Sequence, residues 1–146
     1  MAQSQSQSQS QSETILGVKL GDFCISEYAR GEIENDTSGV SIRTDRQTIT
    51  LGIGNYQSCC EVSGYFLSED DPQTFVGAKL LNITITDDAL RTYDFMEHGL
   101  YNGGCMFVNL ETDRGTLQFV AYNIHNGYYG HRATVRSQQL TLDKCL

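Results

Sequence analysis

Apolar and polar residues alternate with a period of two through much of this chain, and that pattern predicts β-strands. Residues 48–53 (TITLGI) place three aliphatic side chains on one face, and residues 82–86 (NITIT) repeat the pattern. Residues 40–44 (VSIRT) also alternate, and three polar residues separate them from the next strand. We therefore predict a β-hairpin over 40–53.

A second hairpin is predicted from two longer apolar segments. Residues 104–110 (GCMFVNL) and 115–123 (GTLQFVAYN) flank a short polar connection that contains Asp113 and ends at Gly115. Aspartate is a common turn residue, and glycine accepts the positive φ that tight hairpin turns require. Both segments are apolar on both faces, which predicts central strands that are covered on each side.

The remaining elements are shorter or less regular. The apolar residues between positions 15 and 28 predict a strand pair that is broken at Gly21-Asp22, and residues 133–136 and 140–142 predict two short strands. A helical turn is expected over 70–76, where Asp71 would cap the N-terminus and Pro72 would occupy the first helical position. A second short helix is expected over 88–93.

Together these elements predict an all-β or β-dominated α+β fold with short helical turns. A single antiparallel sheet, a sandwich and a partial barrel all fit the pattern. Residues 1–12 (MAQSQSQSQSQS) carry almost no apolar side chain, so we expect a disordered Ser/Gln tail. Residues 13–146 are expected to form a single β-rich domain.

Charge and cysteine content limit the classes of partner. The net charge is −8, with 10 basic against 18 acidic side chains, which disfavours bulk binding of nucleic acid. No long apolar segment predicts a membrane-spanning helix, and no secretory signal is recognised. The five cysteines are an odd number, which is typical of reduced thiols, so we expect a cytoplasmic, reducing compartment.

The segment over 121–132 (AYNIHNGYYGHR) concentrates side chains that recognise ligands, and it follows a predicted central strand. Tyrosine rings would stack on a planar ligand, amide and imidazole groups would form hydrogen bonds, and the arginine would pair with a phosphate or carboxylate. Gly127 is expected to take positive φ in the turn. The alternative interpretation is a structural corner with half-buried tyrosines. The predicted ligand-binding residues are Asn123, His125, Asn126, Tyr128, Tyr129 and Arg132.

No metal site or cofactor is predicted. His125 and His131 are six residues apart, and the adjacent Cys59 and Cys60 would point to opposite faces of a strand, so neither pair has the spacing of a zinc site. The chain also lacks P-loop and dinucleotide-binding fingerprints. These absences favour a non-enzymatic binding module over an enzyme.

Two further functions are compatible with the sequence. A small hydrolase or isomerase would use His125 or His131 as general base, which requires an Asp, Glu or Cys within hydrogen-bond reach of the ring. A structural or assembly protein would use its tyrosines in contacts between subunits of a homo-oligomer.

The order of two segments resembles a known but uncharacterised family. Ser58-Cys59-Cys60-Glu61 precedes a Gly-Ala segment in residues 75–80 (FVGAKL), and a hairpin over 115–129 ends in His-Asn-Gly-Tyr-Tyr. This order resembles a domain of unknown function from small bacterial and phage proteins, over about residues 47–136.

The same pattern is similar, more distantly, to phage anti-defence sponges of the Thoeris type, which sequester cyclic nucleotides without cleaving them. That resemblance implies an oligomeric β protein that binds a small anionic nucleotide between protomers. The sequence departs from it because residues 117–121 (LQFVA) contain no arginine for a phosphate. Only Arg132 and Arg136 lie nearby in the sequence.

Overall fold

A computed structural model describes residues 12–23, 36–56, 61–86, 102–125 and 131–146. These residues form nine strands and one short 3-10 helix over Pro72–Phe75. The strands are β1 (Glu13–Phe23), β2 (Thr37–Thr44), β3 (Thr48–Gly54), β4 (Glu61–Leu67), β5 (Lys79–Thr86), β6 (Asn102–Thr112), β7 (Gly115–His125), β8 (Arg132–Arg136) and β9 (Thr141–Cys145). They pair into one antiparallel sheet in the order β4-β7-β6-β5-β1-β2-β3-β8-β9, open at both edges. The β-dominated fold class is confirmed.

Both predicted hairpins are confirmed. In β2–β3, Val40 pairs with Leu51 and Ile42 with Ile49, so four buried aliphatic side chains lie on one face. In β6–β7 the strands extend further than expected, and Gly115 follows the two-residue turn with φ 113°. Glycine adopts positive φ without steric strain, which explains why this position of the turn carries a glycine.

One apolar core collects the inward side chains from both halves of the sheet. Its fully buried side chains include Phe119 and Met106 from β7 and β6, with Leu51 and Ile53 from β3. The opposite face of the β6–β7 pair is also buried at Cys105, Val120 and Ile124. The prediction that these strands are covered on both sides is therefore correct for these positions.

Sequence reasoning was wrong about the first strand. β1 does not break at Gly21-Asp22, because Gly21 pairs with Gly39 and Asp22 with Ser38 in a continuous ladder with β2. The ladder satisfies the backbone groups of the two residues, so their turn propensity is overridden. Positions 24–28, which were expected to continue this element, lie outside the described residues.

The predicted cap of the 3-10 helix is confirmed. Asp71 precedes the helix, Pro72 begins it, and the Asp71 carboxylate accepts a hydrogen bond of 3.1 Å from the Gln73 backbone N–H. The expected helix over 88–93 and the tail over 1–11 lie outside the described residues.

The two edges of the described sheet are β4 and β9. β4 pairs along one side with β7, and across the core it contacts β2 and β3. The sheet therefore bends until its edge strand approaches the far hairpin without pairing to it. In the described part of the chain, no helix is long and apolar enough to cross a membrane.

Candidate functional site

A cleft opens where the edge strand β4 approaches the open end of the β2–β3 hairpin, at which β2 begins and β3 ends. Its volume is about 290 Å³, close to the lower end of the range for small-molecule sites. The lining residues come from four strands and the segment after β3. They are Ser38, Ile53, Gly54, Asn55, Tyr56, Ser63, Gly64, Tyr65 and Tyr122. Three of these nine residues are tyrosines, and three more carry short polar side chains that can form hydrogen bonds.

Each tyrosine of the cleft is held by a second ring. Tyr56 stacks on His131 with ring centroids 4.2 Å apart, and Tyr65 stacks on Phe119 at 5.5 Å. Tyr122 meets Phe66 at 6.2 Å in a tilted arrangement. These separations are typical of favourable aromatic pairs. The tyrosine rings are thereby positioned by the fold before any ligand arrives.

Glycine at position 64 makes room for one of these rings. Gly64 pairs with Tyr122 across β4 and β7. A Cβ atom on Gly64 would lie 2.9 Å from the Tyr122 hydroxyl oxygen and 3.2 Å from Cζ. A Cβ at this position would push the hydroxyl end of the Tyr122 ring away from β4, so the glycine helps to shape the cleft.

A buried ion pair lies behind the wall of the cleft. The first residue of β4, Glu61, places Oε2 3.0 Å from Nδ1 of His131, and both side chains are fully shielded from solvent. His131 is fixed by two backbone hydrogen bonds with Leu146, of 3.1 and 2.8 Å. Its second ring nitrogen, Nε2, forms a close contact with the backbone carbonyl oxygen of Tyr56.

The partners of the ring determine where its protons lie. A carbonyl oxygen only accepts hydrogen bonds, so Nε2 of His131 carries a proton toward Tyr56. Nδ1 faces a carboxylate oxygen, which also accepts. A proton between Nδ1 and Glu61 would keep two lone pairs from facing each other, because both side chains are fully shielded from solvent. The geometry assigns the Nε2 proton of His131, which points to the Tyr56 carbonyl oxygen.

Ser63 completes a group of three functional side chains. Because side chains two apart on a strand share a face, Ser63 lies on the same side of β4 as Glu61. Its Oγ is 3.4 Å from Nε2 of His131 and borders the cleft. A serine, a histidine and an acid in this order resemble a nucleophile with its base and orienting group. Here, however, Nε2 already donates toward Tyr56, so it has no free lone pair to accept the serine proton.

A carboxylate lies beside the cleft. The Ser38 hydroxyl donates a short hydrogen bond to Asp22 Oδ1, and Ser38 itself lines the cleft. Burial, and then the negative charge of Asp22, raise the pKa of Tyr65 above its usual value. Asp22 thus acts electrostatically on a ring that forms part of the wall.

Three of the six predicted ligand-binding residues lie among the described residues. Asn123 is completely buried and donates 3.1 Å to the Leu146 carbonyl oxygen. His125 ends β7 opposite Glu61, and Arg132 is exposed at the start of β8; neither lines the cleft. Asn126, Tyr128 and Tyr129 lie outside the described residues, as does Gly127. The expected Gly127 conformation therefore stays a prediction.

Sequence reasoning missed most of the cleft. Tyr56, Tyr65 and Tyr122 belong to three separate segments, and only their packing places them around one space. The sequence of β4 contains one weak indication of the cleft. Glu61 and Ser63 are polar, yet they lie on the same face of the strand as Tyr65, which packs against the core. Polar residues on an inward face are unusual enough to indicate a site or a buried network.

The described parts of the chain contain no group of three or more His, Cys, Asp or Glu side chains that could hold a metal ion. Cys105 is buried and Cys145 is exposed, and neither forms a disulfide. The cleft is consequently a site of hydroxyl, amide and aromatic chemistry.

Comparison with known proteins identifies a family but no activity. The family model described as Domain of unknown function (DUF7448) matches residues 12–135. The resemblance to an uncharacterised domain family is confirmed, over a longer range than residues 47–136. The match begins at Ser12, the last residue of the Ser-Gln repeat, and ends one residue before the end of β8. No curated protein and no solved structure matches the chain.

Proposed function

Because the chain belongs to the DUF7448 family, whose function is unknown, we propose from its structure that it is a binding module for a small molecule. The ligand would occupy the cleft between β4 and the end of the β2–β3 hairpin. The observation that carries this proposal is the trio of cleft tyrosines, Tyr56, Tyr65 and Tyr122, each positioned by a partner ring. Rigid aromatic walls with a few polar groups are typical of ligand sites.

The polar groups of the cleft would orient the ligand. Ser38, Ser63 and Asn55 supply hydroxyl and amide groups that both donate and accept hydrogen bonds. Asn55 and Tyr56 are exposed, so a ligand can enter from solvent without a large rearrangement. The sequence-based hypothesis of an anionic nucleotide needs a basic partner, and among the described residues that line the cleft there is no Lys or Arg.

The proposal is tested by screening small aromatic and heteroaromatic compounds against the full chain. The panel includes neutral, cationic and anionic members, and binding is followed by ligand-observed NMR and by thermal shift. Saturating ligand must stabilise the folded state, by about 2.7 kcal/mol at one hundred times Kd. Tyr122→Leu removes one wall and is expected to abolish or weaken binding.

Leu81→Ser provides the control for that variant. Leu81 is 60% exposed on β5 and does not line the cleft, so this substitution should leave binding unchanged. If no panel member binds at millimolar concentration, or if Tyr122→Leu and Leu81→Ser bind equally well, the cleft is not a binding site.

A second candidate function, an acyl hydrolase, is favoured by the contact between Ser63 and His131. The oxygen-to-nitrogen distance of 3.4 Å and the carboxylate behind the ring fit a nucleophile and its base. Catalysis would require Nε2 to leave the Tyr56 carbonyl and expose its lone pair. An activated ester and a serine-directed fluorophosphonate test this candidate. Turnover and labelling that disappear in Ser63→Ala would favour it over a pure binding module.

A further inference from the structure

The charge distribution around the cleft narrows the class of ligand. The nine lining residues include neither a basic nor an acidic side chain. The carboxylate of Asp22 is in direct contact with the lining, since it accepts the hydrogen bond of Ser38. A bound anion would meet this charge with no cation among the lining residues to balance it. The cleft is thus electrostatically better suited to a positive ligand.

The tyrosine rings add to this preference. The face of an aromatic ring carries negative charge density, which attracts a cation placed over it. His131 covers one face of Tyr56, yet Tyr56 stays 57% exposed and borders the cleft. Tyr65 and Tyr122 are partly exposed at the same cleft. Tyr65 and Tyr122 reach the cleft from opposite faces of the sheet, because Tyr65 pairs with Ala121 whereas Tyr122 pairs with Gly64. Aromatic rings that border a cleft can attract organic ammonium groups.

From this juxtaposition of three tyrosines with the Asp22–Ser38 pair, we infer that the cleft binds a small organic ammonium ion. The inference rests on the proposed binding function and names the chemistry of its ligand. A bare metal ion fits less well, since a strongly hydrated cation needs several oxygen or nitrogen ligands, and the described residues contain no such group. The net charge of −8 would also favour the approach of a cation.

The decisive comparison uses two probes of the same shape. Choline carries a trimethylammonium group, and 3,3-dimethylbutan-1-ol has the same outline with a neutral carbon in place of the nitrogen. Both are titrated into the full chain and followed by saturation-transfer NMR. At an open cleft of this kind we expect dissociation constants on the order of a millimolar. Choline should bind at least about fivefold more tightly than the neutral analogue.

Two substitutions locate the source of the preference. Asp22→Asn removes the charge beside the cleft and should weaken choline binding about two- to fivefold, with little effect on the neutral analogue. Asp70→Asn makes the same chemical change in the connection after β4, outside the cleft lining, and should leave binding unchanged. Tyr122→Leu should weaken choline binding about two- to fivefold through loss of one ring. Circular dichroism checks that every variant is folded.

The outcomes separate this inference from the proposed function. Equal binding of choline and the neutral analogue overturns the ammonium inference but still supports the proposed binding function of the cleft. If other panel compounds bind in the cleft while choline does not, or if adenosine monophosphate binds more tightly than choline, the inference is also overturned. If no compound binds at all, the proposed function itself fails. A trimethyllysine peptide, titrated alongside choline, shows whether the ammonium group belongs to a free small molecule or to a larger partner.

Discussion

The buried contact between Glu61 and His131 yields a prediction that tests the proton positions derived above. Both side chains are fully buried, and their charged atoms are 3.0 Å apart. Removing one partner of a buried pair typically costs about 3–5 kcal/mol, because the other is left uncompensated. Domains are stable by only about 5–15 kcal/mol. Glu61→Leu should therefore lower the free energy of unfolding by about 3–5 kcal/mol, a large share of the total.

Glu61→Gln should be much milder. The His131 Nε2 proton is already directed to the Tyr56 carbonyl oxygen, so a neutral ring presents a lone pair at Nδ1. The new amide can donate a hydrogen bond to that lone pair with almost the same shape as the carboxylate. We expect a loss of about 1 kcal/mol, the usual net value of one hydrogen bond.

Urea unfolding followed by far-ultraviolet circular dichroism measures both variants. Glu69→Gln, at an exposed position in the connection after β4, is the control for the loss of a carboxylate and should change stability little. If Glu61→Gln is as damaging as Glu61→Leu, the negative charge of Glu61 itself stabilises the ring, and the expectation that a neutral amide can replace the carboxylate is refuted. A loss below about 1 kcal/mol for Glu61→Leu would refute the premise that the pair is shielded from water.

Three other predictions concern the sheet and its titrating groups. A Cβ on Gly39 would lie 1.9 Å from a backbone carbonyl oxygen of β3, so Gly39→Ala should lower the free energy of unfolding by at least about 1–3 kcal/mol, measured by urea unfolding. Gly17→Ala is the control and should lower it far less, because the nearest atom to its Cβ is 4.0 Å away. A hydrogen bond from a threonine of β8, and then a neighbouring arginine, lower the pKa of Asp143. Its stabilising contribution is complete above the ordinary aspartate pKa of 3.8 and is lost as the pH falls below that value. Asp143→Asn should therefore cost less than about 1 kcal/mol at neutral pH and nothing in strong acid. Burial, and then Asp22, raise the pKa of Tyr65 above 10.0, so stability should fall as the pH rises beyond that value, and Asp22→Asn should move the tyrosinate absorbance titration to lower pH.

Local features of the fold could be predicted because they depend on neighbouring residues. The alternation over 40–53 encodes which side chains share a face, and the ladder between β2 and β3 follows from it. The Asp71 cap is equally local, since the carboxylate bonds a backbone N–H two residues later. In contrast, Gly21-Asp22 looked like a break because turn propensity is local, while the pairing that overrides it comes from β2.

The candidate site could not be predicted because it depends on long-range packing. Ser63 and His131 are 68 positions apart, and Tyr56 reaches the same histidine across 75 positions. Nothing near His131 in the sequence indicates which acid it meets. The sequence did predict that a catalytic histidine would need such an acid, and Glu61 satisfies that distance criterion. The geometry then argues against a base, since the Tyr56 carbonyl occupies Nε2.

The same contact connects the stability of the fold to the shape of the cleft. His131 holds Tyr56 twice, through the stacked ring and through the backbone carbonyl oxygen. Tyr122 instead rests on Phe66 and lies over Gly64, and none of these contacts involves the buried pair. A change at Glu61 should therefore displace the Tyr56 wall of the cleft and leave the Tyr122 wall in place. The buried pair thus has a role beyond stability, because it fixes the position of one of the three rings that a ligand would meet.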